Sequence, residues 1–526
     1  MFKGETEAKL NRTIYNRARL YQLMRPIPIS MQNRSDQMMW GQLFRISKDR
    51  KVSYQRQLRE MIVSAILDDK LPLEIPLPSS RELARHLGIA RNTVVLAYQQ
   101  LIDEGYLVAR ERSGYYIDKT MLDGRVRVEP LKFDGEHKPP DWKRHLKFHP
   151  SQQRNIIKPV DWKKYPYPFL FGQLDPELFP VADWRECCRQ ALSVSDIRDV
   201  TPDAIDTDDP LLIEQIQARI LPRRGVWAAR DEILITMGAQ QALYILADLM
   251  IEKGTRVGIE NPGYPDARNI FELKSPQMVP LAVDEHGVVP GKDLNSCEFV
   301  YLTPSHQSPT TVTMPLERRE HLLKQAEKHD FLIIEDDYES EINFVGEPTP
   351  ALKSLDASER VIYVGSLSKT LAPGLRLGYM VAPKPLIREA RALRRLMVRH
   401  PPANNQRIVA LFLSMGHHDS LIHRLSQTYK DRWQVMGKAL NRHLPESSRI
   451  PSFGGTSYWV EGPDQLDTRK LKETARAAGI LIESGDICFM QDNPPQNFIR
   501  LGYSSISATR IEPGIRKLAQ LIHEII

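Results

Sequence analysis

The chain has 526 residues, 41% of them apolar and 26% charged, with a net charge of +6 at pH 7. That balance is ordinary for a globular protein of several domains and excludes a fibrous or wholly disordered chain. No apolar run approaches a membrane span, and the start, with Lys3, Glu5, Glu7 and Lys9, lacks the apolar core of a signal peptide, so a cytoplasmic protein with no membrane partner is expected.

Residues 1–50 read as a basic leader with a helix expected over Lys9 to Met24 and no assigned role. From Val52, the spacing of Leu58, Met61, Ile62, Ala65 and Ile66 predicts an amphipathic helix that ends before Pro72 and Pro76. Ser79, Ser80, Arg81 and Glu82 predict an N-cap, because a serine hydroxyl can accept the first free amide protons and Glu82 sits near the positive helix end. Leu83, Ala84 and Leu87 face inward, Gly88 supplies the turn, and a second helix is expected over Ala90 to Glu104 with Val94, Val95, Tyr98, Leu101 and Ile102 inward. Beyond Gly105, Tyr106 to Arg110 and Tyr115 to Ile117 flank Ser113 and Gly114 and predict a hairpin, the wing. Such a unit reads double-stranded DNA. Arg91, Asn92 and Thr93 open the second helix, where side chains meet base edges; Arg81 can meet a phosphate; Arg110 and Arg112 flank the wing turn and can reach the minor groove. Asp68, Asp69, Asp103 and Glu104 offset these arginines in any overall charge count.

Residues 119–165 hold Pro130, Pro139, Pro140, Pro150 and Pro159 among many basic residues without a sustained period, which predicts a stiff charged linker. Two similar pieces, beginning at Lys138 and Lys158, lie within it and are either coincidence or docking segments. The expected plan is therefore a leader (1–50), a winged helix (51–118), a linker (119–165) and a large domain (166–526). The cysteines Cys187, Cys188, Cys297 and Cys488 lack metal-ligand spacing, so reduced packing thiols and no metal are expected.

Past Phe169, short apolar strands alternate with helical patterns: Ile233 to Thr236, Arg256 to Glu260, Phe299 to Leu302, Phe331 to Glu335 and Val361 to Val364. This predicts an α/β domain with a mostly parallel sheet and functional residues at the C-terminal ends of the strands. Motifs fall there. Gly238, Ala239 and Gln240 open a helix and can cradle a phosphate. Tyr264 can cover a planar ring, His306 lies in a polar run beside it, and Asp336 or Asp337 can pair with a protonated pyridine nitrogen while Tyr338 meets the ring oxygen. Lys369 stands between Ser366 and Arg376, a lysine able to form a Schiff base beside groups able to hold a phosphate, as pyridoxal 5'-phosphate requires.

On these residues, 166–526 resembles the fold type I, class I aminotransferases. The resemblance implies that Lys369 carries the internal aldimine, Ser366 and Arg376 bind phosphate, Tyr264 stacks, Asp336 partners the pyridine with Asp337 as the alternative, and Tyr338 supplies the phenol. It also implies that Arg500, in Phe498 to Tyr503, takes a carboxylate. Met237 stands where a phosphate-binding serine is common, and Asp206 to Leu212 lacks the usual tyrosine and glycine of the inter-subunit loop, which weakens the case for efficient transamination. Leu77 to Arg81, Leu87 to Val94, Tyr98 and Glu104 to Leu107 closely resemble the GntR-type winged helix over about 52–118. The succession of both resembles the MocR/GabR group of bacterial transcriptional regulators. It implies a head-to-tail homodimer on a DNA operator that senses a small amine or amino acid through an external aldimine at Lys369, rather than an enzyme. An active aminotransferase with a fused DNA-binding domain is the alternative.

Overall fold

The computed structural model describes residues 44, 46–47, 52–68, 70–122, 140–193, 195, 197–198, 201–339, 341–343, 349–449 and 454–526, and its chain falls into two compact units that divide after Pro140. The helix expected over Lys9 to Met24 lies outside the described residues.

In the first unit, helices span Tyr54–Leu67, Ser80–Leu87 and Arg91–Asp103, and the strands Leu107–Arg110 and Gly114–Ile117 pair antiparallel. The Ser79 hydroxyl accepts from the amide of Glu82 at 3.3 Å, and Gly88 closes the same helix at φ +64°, a left-handed cap that glycine adopts without steric cost. Leu58, Ile62, Leu83, Val94, Ala97, Tyr98 and Leu101 are fully buried in one core, and the buried Tyr98 hydroxyl donates to Pro78 O at 2.9 Å. Val95 and Ile102, expected inward, are only partly covered.

The second unit is built on eight strands in the order Ile233–Thr236, Gly378–Val381, Val361–Ser366, Leu332–Asp337, Phe299–Leu302, Val257–Asn261, Met278–Asp284 and Gly287–Val288. The five inner strands from Val361–Ser366 to Met278–Asp284 are parallel; Gly378–Val381 runs against both its neighbours, and Gly287–Val288 against Met278–Asp284. Both faces are apolar, as a parallel sheet covered by helices requires. Ile334, Ile362, Val364 and Met380 pack with Ala242, Leu243 and Leu246 of the helix Ala239–Met250, whereas Val300, Ile333 and Val361 pack on the other face with Leu322 and Ala326 of the helix Leu316–His329. A smaller antiparallel sheet of Ser448–Arg449, Ser457–Glu461, Phe498–Gly502 and Glu483–Ser484 follows.

The stretch expected as a free linker is divided. Residues from Asp141 onward belong with the large unit, because polar side chains tie their backbone to it: Gln153 Nε2 donates to Asn269 O at 2.9 Å and Arg154 Nη2 to Asp486 O at 2.8 Å. Of the two similar pieces, the first leaves Trp142 68% exposed, while the second buries Lys158 in part against Phe171 and Glu483. Helix Val181–Ala191 buries Cys187 and partly covers Cys188, and all four cysteines are free thiols.

Gly502 lets its strand pack directly on the chain at 170–171, since a β-carbon there would meet Phe171 N at 2.6 Å as well as the Leu170 carbonyl. Gly502→Ala should therefore destabilise the large unit by about 1–3 kcal/mol, as overpacking against rigid backbone does. Gly254→Ala, whose β-carbon meets nothing within 4 Å, should change stability far less. Thermal unfolding of the two variants compares them; equal melting temperatures would count against this packing.

Candidate functional site

The C-terminal ends of the central strands converge on a cavity of about 780 Å³, its mouth included, lined among others by Phe171, Gly238, Tyr264, Ser308, Asp336, Tyr338, Ser366 and Lys369. Gly238 precedes the helix Ala239–Met250 at φ +79°, and Arg376, itself left-handed at φ +52°, donates from Nη2 to Met237 O at 3.1 Å. A β-carbon at Gly238 would stand 3.1 Å from that guanidinium nitrogen. A helix N-terminus, a glycine and a guanidinium thus meet at one edge, with Ser366 at the end of its strand beside them, which is the chemistry of a phosphate cradle. Gln240 is exposed and bonds Asp266 at 3.3 Å, as does the Tyr264 hydroxyl at 3.0 Å.

Strand alternation separates the two aspartates left open by the sequence. Asp336 faces the cavity: its Oδ2 accepts from Tyr301 OH at 2.8 Å, and its buried Oδ1 has no hydrogen-bond partner. Burial pushes this carboxyl up to about 6, against the Tyr301 hydrogen bond and the charge of Lys369. Asp337 points to the opposite face, where its Oδ2 meets Arg224 Nε at 2.8 Å and Tyr363 OH at 2.7 Å. Burial there is outweighed by Arg224 and Tyr363, and the Asp337 carboxyl falls below its ordinary range. Only Asp336 of the two lines the cavity.

Lys369 points its Nζ at the Phe171 ring, 4.3 Å from the centroid, with the Tyr338 ring at 5.4 Å. Burial pulls its ammonium down to about 8; Glu339 and Asp336 oppose that, while Lys158 and Arg500 reinforce it. Arg500 is 3% exposed, stacks its Cζ 3.3 Å over the same ring, and donates from Nε to Ser457 Oγ at 3.1 Å. Its buried Nη2 and the buried Tyr338 hydroxyl, like Asp336 Oδ1, have no partner among the described residues. Unspent buried donors and acceptors around one lysine fit a polar aromatic phosphate that would use them.

His306 lies elsewhere. Gln307 folds its loop back by donating to Pro262 O at 2.9 Å and to Ser308 O at 2.8 Å, so Ser308 lines the cavity, while His306 is buried beside Gly454 and Gly455 with burial lowering its basicity. The loop Asp206 to Leu212 is firmly held: Asp208 bonds Arg394 Nη1 at 2.6 Å and Arg391 Nη1 at 2.7 Å, and Asp209 bonds Arg407 Nε at 2.7 Å while capping the helix Pro210–Gln215. Sequence reading missed Phe171, Ser308, Tyr301, Arg224, Glu339 and Lys158. Ser308 directly follows the polar run that holds His306, Lys158 opens the second of the two similar linker pieces, and Phe171 sits in a segment without a motif. Among the described residues, no cluster of His, Cys, Asp and Glu is arranged to hold a metal, and no helix is long and apolar enough to cross a membrane.

On the first unit, Arg91 and Asn92 are exposed at the start of the helix Arg91–Asp103, with Thr93 half-buried behind them. Arg81 is exposed at the start of the preceding helix, and Arg110 and Arg112 are exposed on the wing, where Arg110 Cζ lies 4.3 Å over the Tyr116 ring. The positively charged side chains and the open end of the second helix stand free for a nucleic acid.

Residues 180–518 match the family model "Aminotransferase class I and II", and residues 54–117 match "Bacterial regulatory proteins, gntR family". The chain is 44% identical to the HTH-type transcriptional regulator TauR of Rhodobacter capsulatus, across 89% of this chain and 96% of that one. It is 30% identical to the probable rhizopine catabolism regulatory protein MocR of Rhizobium meliloti, across 90% and 94%. Among solved structures it resembles LysN, an alpha-aminoadipate aminotransferase from Thermus thermophilus complexed with N-(5'-phosphopyridoxyl)-L-leucine, at 26% identity and a TM-score of 0.67, over 73% of this chain and 99% of that one. Phosphate cradle, orphaned acid and buried lysine agree with these matches, and the cofactor of the large domain is pyridoxal phosphate. The chain belongs to the MocR type of DNA-binding transcriptional regulators, in which a gntR-family helix-turn-helix precedes an aminotransferase-like domain.

Proposed function

We propose that the large domain is a sensor that converts arrival of a small amine or amino acid at Lys369 into a change in DNA occupancy, with little or no turnover. The observation that carries this reading is one cavity in which a lysine of lowered basicity meets unpartnered atoms of Asp336, Tyr338 and, across Phe171, Arg500, on a chain that also bears a winged helix. When bound, pyridoxal phosphate supplies an electrophilic carbon that takes up and releases amines reversibly. Lys369, partly neutral near pH 8, is the nucleophile for that carbon. Asp336 Oδ1 would accept a hydrogen bond from the protonated pyridine nitrogen, and Tyr338 OH would donate one to the ring oxygen. The first amides of the helix Ala239–Met250, Ser366 and Arg376 would hold phosphate, Tyr264 would flank the ring, and Arg500 Nη2 would grip the effector's carboxylate.

Met237 in the phosphate edge and the tied-down Asp206 to Leu212 loop favour a sensor over an efficient transaminase. A residual half-reaction is compatible with the intact lysine and acid, and a cytoplasmic head-to-tail homodimer on a double-stranded operator is the assembly this reading assumes. Effector binding shifts DNA occupancy only by its differential affinity for two states of the protein, so the occupied pocket must favour one of them.

Lys369→Ala should bind a DNA fragment selected by the wild-type protein with unchanged affinity, yet lose the response to every amine in a mobility-shift titration; a retained response would overturn the sensor reading. Because only neutral Lys369 attacks, the rate at which stripped protein takes up pyridoxal phosphate should rise with pH up to about 8 and then level. A rate still climbing steeply above pH 9.5, measured in stopped-flow absorbance, would contradict the lowered basicity. Asn92→Ala should cost about 1–3 kcal/mol of DNA affinity and relax sequence preference, whereas Arg81→Ala should weaken all sequences alike and flatten the salt dependence.

A further inference from the structure

Three cations crowd the Phe171 ring: Arg500 Cζ at 3.3 Å, Lys369 Nζ at 4.3 Å and Lys158 Nζ at 5.6 Å from its centroid. A β-carbon on Gly172 would touch two of them, Lys369 Nζ at 3.1 Å and Lys158 Nζ at 3.6 Å. Lys369 is taken up by the cofactor, so Arg500 and Lys158 are the two cations left at the ring to receive an anion, in competition with the neighbouring Glu483. Of the three, Lys158 alone comes from the segment that follows the DNA-binding unit in the chain. That segment is docked by Gln153 on Asn269 O, by Arg154 on Asp486 and by Asn155, whose Oδ1 accepts from Asn269 Nδ2 at 2.8 Å.

The hold on Lys158 itself is incomplete. Its ammonium donates to Phe171 O and lies 3.4 Å from Glu483 Oε1, beyond a good charge-assisted hydrogen bond. Both Glu483 oxygens are buried without a hydrogen-bond partner, although Glu483 sits directly opposite Arg500 across the strand pair. A buried carboxylate that meets one ammonium at 3.4 Å without a hydrogen bond is easily displaced by a better-placed anion.

We propose that Lys158 is a second anchor for the effector and a latch on the segment that carries it. The acidic group of a short amino acid, seated on Arg500 Nη2, competes with Glu483 for the Lys158 ammonium, so that ligand arrival is felt directly by the chain leading to the DNA-binding domain. The ligand class is a small amine bearing an acidic group that is ionised at neutral pH, carboxylate or sulfonate. This rests on the sensor reading above.

The test uses the full-length protein loaded with pyridoxal phosphate, titrated with 3-aminopropanoate, 2-aminoethanesulfonate and propylamine, and read by the visible spectrum and by DNA mobility shift. Lys158→Met should weaken at least one of the two acids tenfold or more, leave propylamine within twofold, and abolish the DNA response to the acid at saturation; Lys158→Arg should restore most of both. Equal losses for all three probes, or none, overturn the latch while leaving the sensor intact. A wild-type spectrum indifferent to every amine overturns both. Glu483→Gln gives a route that does not depend on Lys158→Met folding well: it removes the competing carboxylate, so acid binding should tighten severalfold, and unchanged or weaker binding overturns the proposal.

Discussion

The site depends on the pleat of one strand. Leu332–Asp337 ends in two adjacent carboxylates, and the two-residue period sends them to opposite faces of the sheet. Asp337 is spent on Arg224 and Tyr363, a buried pair that neutralises the far side of the sheet end. Asp336 is left to the cavity with one oxygen held by Tyr301 and the other unspent. A slip of one residue in register would exchange these roles and put the Arg224 ion pair at the cavity. The parallel ladders on either side, Val364 opposite Asp336 and Leu302 opposite Glu335, hold that register.

What was legible in the sequence followed periodicity and local caps. The helices of the winged helix, four of the five parallel strands and the placement of Gly238, Tyr264, Asp336, Tyr338, Ser366, Lys369 and Arg376 around one cavity all derive from patterns within a few residues, whereas Met278–Asp284 went unread. What was not legible depended on distant contact. Phe171 lies in a short segment without a motif, yet it forms the surface on which Arg500 and Lys369 rest. His306 and Ser308 are two residues apart in one polar run, and only the fold-back made by Gln307 decides which reaches the cavity. The proline-rich stretch had the composition of a free linker; its docking rests on single polar contacts from Gln153, Arg154 and Lys158, which no window average registers.

The two functions sit on parts of the chain with different physical demands. Base reading needs exposed side chains on a rigid helix end, which Arg91 and Asn92 would supply over a core of fully buried Val94, Ala97 and Tyr98. Cofactor chemistry needs the reverse, polar groups withdrawn from water so that their charges and proton affinities are shifted. Lys369 and Asp336 are moved toward each other in proton affinity, to about 8 and about 6, by the same burial acting on opposite charge types.

The crowding of cations about Phe171 carries a further thermodynamic consequence. Repulsion among Arg500, Lys158 and the protonated fraction of Lys369, eased only in part by Glu483, weighs on the folded state alone, since the unfolded chain disperses those charges. An occupant that relieves it therefore adds its binding free energy to the stability of the fold. On the sensor reading, residence of ligand and survival of the polypeptide against proteolysis would be linked quantities, so that the amount of folded protein would follow occupancy of the pocket.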